Sequence, residues 1–166
     1  MKDPLRVGLE YTIEVVDKNG VVTDSETVHN LMPTQGMDHL LGVLLLGNSP
    51  TTQWYVGVYE NPYSPVASDN AATFPALAGE SVAYTGTTRL AFTPGTVSLG
   101  TIDNSLNPAE FEATEETVFY GGFISSSAAR GSTSGILLSA VRFSTPKSVD
   151  PTSTLRVTAG FSLVSM

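Results

Sequence analysis

Cysteine is absent from the 166 residues, which removes disulfides, thiolate catalysis, Cys-based zinc sites and iron–sulfur clusters. Charge is scarce as well: Asp, Glu, Lys and Arg make up 14% of the chain, against a typical ~25%. Basic residues are the scarcest part of it. Eight Lys and Arg face sixteen Asp and Glu, a net charge of −8 that repels a phosphate backbone and argues against nucleic acid as a partner. Imidazoles number two, His29 and His39. Ten residues apart, they match no metal-ligand spacing and read as packing residues on half-buried faces. No run approaches the ~18 consecutive apolar residues that span a bilayer. The most apolar stretch, residues 37–46, is interrupted by Asp38, His39 and Gly42. The opening Met1-Lys2-Asp3-Pro4-Leu5 lacks the apolar core of a secretory signal. The expectation is a soluble chain made in a cytoplasm, with no membrane partner.

Hydroxyl and β-branched side chains fill the space instead, with 20 Thr and 18 Ser, the profile of a sheet protein with large covered surfaces. The length suits one domain, residues 1–166, at the usual ~100–200 residues each, and can bury a core without staples. After an N-terminal arm (residues 1–6), Val7, Leu9, Tyr11, Ile13 and Val15 alternate with Gly8, Glu10, Thr12 and Glu14, the period-two pattern of a strand with one buried face. Asp17-Lys18-Asn19-Gly20 is a hairpin turn in which both Asn19 and Gly20 tolerate positive φ, and residues 21–31 return as the partner strand.

One helix is expected, over residues 35–46. Thr34 offers an N-cap, Asp38 suits the positive end of the helix dipole, and Gly47-Asn48 is a stop. Met37, Leu40, Leu41, Leu44 and Leu45 recur at helical spacing. Gly36 and Gly42 each cost about 1 kcal/mol of helix propensity. Burial must hold the helix, plugging one end of a sandwich or barrel. Strands are expected at residues 54–59 (central, from its aromatic and β-branched content), 81–92, 97–102, 110–124, 135–143 and 154–164. Residues 61–75, with three prolines, form a long loop of the kind that carries binding. The fold class is therefore all-β: an antiparallel sandwich or jelly roll of about eight strands with one short helix. Charge is uneven: residues 1–68 carry −5, residues 69–116 carry −6 and residues 117–166 carry +3. That last third either steers copies of the chain together or is simply solvated.

Motifs for chemistry are missing. Gly79-Glu80-Ser81-Val82-Ala83 lacks the final glycine of a nucleophile elbow, and both histidines precede Ser81. Glu110, Glu112, Glu115 and Glu116 form the densest acidic run. On a strand, Glu110 and Glu112 share a face opposite Phe111, which fits a solvated edge rather than a glycosidase cleft. Asn61, Asp69 and Asn70 offer hard oxygens for calcium, at a spacing that matches no known loop. Gly121-Gly122 and Gly131-Ser132-Thr133-Ser134-Gly135 lack the Lys-Ser/Thr of a phosphate loop. No catalytic, cofactor-binding or metal residue is assigned, and the expectation is a non-enzyme without cofactors.

A set of segments, in this order, carries a resemblance: His29-Asn30-Leu31, Gly36-Met37-Asp38-His39-Leu40-Leu41-Gly42-Val43-Leu44, Thr52-Gln53-Trp54-Tyr55-Val56-Gly57-Val58-Tyr59, Gly79-Glu80 with Tyr84 and Arg89, Gly121-Gly122-Phe123-Ile124, residues 135–143, and Leu155-Arg156-Val157-Thr158. From about Val28 onward the chain resembles the head-associated decoration or cement proteins of tailed bacteriophages. One departure is Glu80, which follows Gly79 where relatives often carry an aromatic residue. The resemblance implies a virion structural protein on the capsid exterior. It would be made in the host cytoplasm and bound to the major capsid protein and to copies of itself, as dimer or trimer. The alternatives are a tail or baseplate part and, further off, a carbohydrate-binding jelly roll. Tyr and Arg are enriched at contact hot spots, so Tyr59, Tyr63, Phe74 and Arg89 are the expected contacts. Alanine at Tyr63 or Phe74 is then expected to spare folding and lower capsid occupancy.

Overall fold

A computed structural model describes residues 6–164, so all but the last residue of the expected arm lies outside the described residues. The element order is β1 (Arg6–Val16), β2 (Val22–His29), α1 (Thr34–Leu46), β3 (Trp54–Tyr59), α2 (Phe74–Ala78), β4 (Leu90–Phe92), β5 (Thr101–Asp103), β6 (Ala109–Glu112), β7 (Thr117–Ser125), β8 (Leu137–Val149) and β9 (Thr154–Val164). Two antiparallel sheets face each other. One runs β2-β1-β9-β5, with β6 following β5 along the same edge of β9; the other runs β4-β3-β7-β8. This is an all-β sandwich.

The alternation of β1 does what it predicts. Leu9, Tyr11, Ile13 and Val15 are buried in the shared core with Val56, Val58, Phe111, Phe119, Phe143, Leu155 and Val157. Its turn differs in detail from expectation. Gly20 takes the left-handed conformation while Asn19 does not. The Asp17 carboxylate closes the turn by accepting from the Asn19 and Val21 amides at 2.8 and 2.9 Å. Those two bonds hold the Asp17 carboxyl below the usual carboxylate range. His29 also differs: its side chain is largely exposed, 3.8 Å from Glu10.

Several expected strands are redrawn by tertiary packing. Residues 110–124 are two strands in different sheets, joined by a crossover at residues 113–116. Residues 81–89 make only isolated bridges, leaving three residues to β4. By contrast β8 continues beyond Phe143, through Pro146, to Val149. It is the last strand of its sheet, where a missing amide costs no ladder bond. The edges of the two sheets meet at β2 and β8. Leu31 exchanges two backbone hydrogen bonds with Ala140, and Glu26 accepts from the Ser144 and Thr145 amides. Buried Lys147 completes that seam against Asp24 at 2.9 Å and Glu26 at 3.8 Å. Inside it, the Asn30 side chain accepts from the Leu9 amide and donates to Ser139 Oγ, which also pairs with the Tyr11 hydroxyl at 2.7 Å.

Candidate functional site

The residues singled out for contact form one cluster, but inside the protein. Residues 61–78 fold back over the outer face of the β3–β7–β8 sheet and build a second core of Tyr59, Ala71, Phe74, Ala78, Phe123, Leu137 and Ala140. The Phe74 ring meets Tyr59, Tyr63 and Phe123 edge-on at 5.7, 5.9 and 5.3 Å. The Tyr59 hydroxyl donates to Val141 O at 3.0 Å, and Tyr63 donates to the Asp69 carboxylate at 2.8 Å. Burial pushes the Tyr59 hydroxyl well above its ordinary pKa. A side chain added at Gly121 would strike the Tyr59 ring and Val141 O, so only glycine lets that ring lie on the sheet.

Arg89 is equally internal. It grips Glu80 with two 2.7 Å hydrogen bonds and also donates to Ser125 Oγ and Ser127 O, while Glu80 accepts from the Gly131 amide. The Arg89 and Glu80 side chains are 1% and 3% exposed. Arg89 lies over the Phe123 ring at 5.0 Å, joining the pair to the aromatic cluster. The expectation that Tyr59, Phe74 and Arg89 are surface contacts is therefore corrected: they position loops and have no free surface. Tyr63 keeps partial exposure.

The long loop is likewise ordered by its own polar groups. Both Asp69 oxygens are taken by Tyr63 and the Val66 amide, and the Asn70 side chain accepts from the Ala72 amide. The basic side chains of the last third also have partners within the chain. Arg130 stacks on Tyr84 at 3.8 Å, Arg142 donates to Pro62 O and Ser64 Oγ, and Arg156 joins Glu14 to Glu110 at 3.3 and 3.0 Å. Lys147 is held in the seam, so each of these four cations has a partner within the chain, while Arg142 itself stays exposed to solvent.

The surface that stands out is α1. Pro33, not Thr34, holds the N-cap position, and Asp38 falls outside the first turn. Gln35 ties the helix start down, its side-chain oxygen accepting from the Ala71 and Leu137 amides at 3.0 and 2.8 Å. Gly36 sits where a Cβ would come 2.5 Å from the Leu138 carbonyl oxygen. The fully buried residues of the helix are Gly36 and Gly42, not the leucines. Leu44, Leu45 and Leu46 are 71%, 76% and 79% exposed, and Met37 and Leu41 are exposed too. The predicted burial of the Met37/Leu41/Leu44/Leu45 face is thus reversed, while Leu40 alone of that set packs against the core.

Beside the helix runs an apolar groove of about 540 Å³. Its walls include Met37, Leu40, Leu41 and Leu44 from α1, with Trp54 opposite and Phe161 and Leu163 from β9. His39 braces it, edge-on to Trp54 at 5.7 Å and bonded to Thr51 at 3.1 Å. No lining residue carries a carboxylate, ammonium or guanidinium. The Leu163 amide donates to Gly100 O at 2.9 Å, which sets the tip of the 95–101 turn next to the groove. At that tip Leu99 is 97% exposed and has φ +49°, a left-handed conformation that a leucine adopts at a cost of about 1–2 kcal/mol.

The sequence carried a signal for this surface. Residues 37, 40, 41, 43, 44, 45 and 46 are all apolar and point in every direction around a helix, whereas one side of a sandwich can cover only one face. Chemically the arrangement is an apolar surface whose lining carries no Asp, Glu, Lys or Arg. Among the described residues no three of His, Asp and Glu come together to hold a metal, and no helix there is long and apolar enough to cross a membrane. No protein-family model matches the chain, and no curated protein matches it significantly.

Proposed function

We propose that this chain is a non-enzymatic structural protein of a tailed-bacteriophage virion, decorating or cementing the capsid exterior by seating across joints between major capsid protein subunits. The observation that carries the contact-protein reading is the exposed leucine face of α1 with its charge-free groove. Apolar area of this kind on one face marks a binding surface rather than ordinary surface. The head assignment comes from the ordered resemblance of the segments from Val28 onward. The internal pairing of the basic residues and the pinned loops suit a part that presents a rigid outer surface, so binding loses little entropy to ordering. Many copies bound to a repeating shell then add weak contacts through multivalency.

The test is the copy number of the protein per purified particle, by cryo-EM and quantitative mass spectrometry. Copies on the order of 10², arranged with capsid symmetry, are expected for a head protein. A small multiple of three or six places it in the tail, and absence from particles, or turnover of any small molecule by the purified chain, overturns the reading.

A further inference from the structure

We infer that the α1 face is where two copies of this chain pair, through a two-fold contact between their helices. This rests on the reading that the protein works by surface contact, and it names the partner. Three observations select a second copy as the occupant. The first is shape: the Leu41–Leu45 ridge separates the apolar groove from a second hollow lined by Asp38, Leu41, Gly42, Leu45 and Leu46. A patch that holds both a ridge and a groove is self-complementary, which a two-fold contact requires. The i, i+4 ridge of one copy enters the groove of the other in the manner of helix ridges packing into grooves.

The second is charge. Each copy carries −8, so repulsion between like copies is least where charge is missing. The groove lining has none, and α1 contributes a single carboxylate, Asp38, at its border. The third is area. Met37, Leu41, Leu44, Leu45, Leu46 and Leu163 are each 42–79% exposed. Together they present on the order of 700 Å² per copy, close to the ~800 Å² per partner of a standard interface. Burying them removes six exposed apolar side chains from water.

The experiment is sedimentation equilibrium of the full chain from about 1 µM to about 200 µM, spanning the affinities expected of a modest interface. A mass of twice 17.5 kDa is expected, falling toward one copy on dilution. Leu44→Glu/Leu45→Glu should weaken pairing about a hundredfold or more, since it places charge at the centre of the contact, with far-UV circular dichroism and melting temperature unchanged. Because the chain has no native cysteine, single-cysteine variants give a second readout. Leu45→Cys should cross-link with a short bismaleimide far faster than Asn19→Cys, which sits at the opposite end of β1. A one-copy mass throughout, pairing unaffected by the double substitution, or equal cross-linking at both positions overturns the inference. A wild-type protein that stays single yet loses particle occupancy with the double substitution also overturns it, and assigns the groove to a capsid subunit, leaving the proposed function standing. Loss of the virion role with two-fold pairing intact does the reverse.

Discussion

Gly36→Ala is the sharpest test of how α1 is held. In an isolated helix this change is favourable by about 1 kcal/mol, because alanine loses less backbone entropy than glycine. In the folded protein the new Cβ would lie 2.5 Å from Leu138 O and 3.0 Å from Leu137 O and Leu138 Cα. All three are backbone atoms of β8 and its start, which cannot swing aside as a side chain can. Overpacking of this kind costs about 1–3 kcal/mol, and three backbone contacts at 2.5–3.0 Å put this case in the upper part of that range, about 2–3 kcal/mol, so after the propensity gain the net result is a loss of about 1–2 kcal/mol. For a domain of this size that lowers the melting temperature by about 2–8 °C. Gly42→Ala is the matched control. Its Cβ would meet only the Asn48 side chain, first at Nδ2 2.5 Å away, and that amide can rotate off. The propensity gain then survives, and the variant melts about 2–4 °C higher. Thermal unfolding by circular dichroism and urea titration read both. A Gly36→Ala protein as stable as the parent would refute the close docking of α1 on β8, and with it the argument that the leucines face outward.

Four further outcomes follow from the same physics. Arg89→Met strands the Glu80 carboxylate in the interior and should cost about 3–5 kcal/mol, measured by urea unfolding; a loss under 1 kcal/mol would mean that the pair is not desolvated. Phe74→Ala removes the hub of the second core and should cost about 3–5 kcal/mol, so lower particle occupancy in this variant would report misfolding, contrary to the expectation from sequence. Leu99→Gly relieves the left-handed leucine and should leave the isolated protein no less stable, with a gain of up to about 1 kcal/mol. Asp17, Asp103 and Asp150 each accept hydrogen bonds within turns that hold their carboxyls below the usual range. A folded pKa below the unfolded value stabilises above the unfolded pKa and is lost as pH falls through the folded one. The melting temperature should therefore hold from pH 7 to about pH 5 and decline below about pH 4, with a shallower decline in Asp17→Asn/Asp150→Asn; an equal slope in that variant counts against these turns as the cause.

How far the chain could be read in advance varies with the range of the interactions involved. The β1–β2 hairpin was legible because alternation and turn residues act over a few positions, and β3 was legible as central from its composition. Both ends of α1 came within a residue or two, although Pro33 took the cap expected of Thr34. The crossover between β6 and β7 was not legible, since Ala113-Thr114-Glu115-Glu116 contains no glycine or proline to announce a change of sheet. Tyr59, Phe74 and Arg89 were picked by residue type, which is the same for an interface anchor and a core anchor. Only Glu80, nine residues before Arg89 and brought to 2.7 Å from it, and the folding back of residues 61–78 put them inside.

The composition and its period-two rhythm suffice to make this an all-β sandwich with one substantial helix, because the two-residue and 3.6-residue patterns that mark strands and helices are written within a few positions of the chain. Which side of that helix meets water is settled elsewhere. The Leu138 carbonyl lies against Gly36, a contact between residues a hundred positions apart, and that approach turns the leucines out and opens the groove beside them.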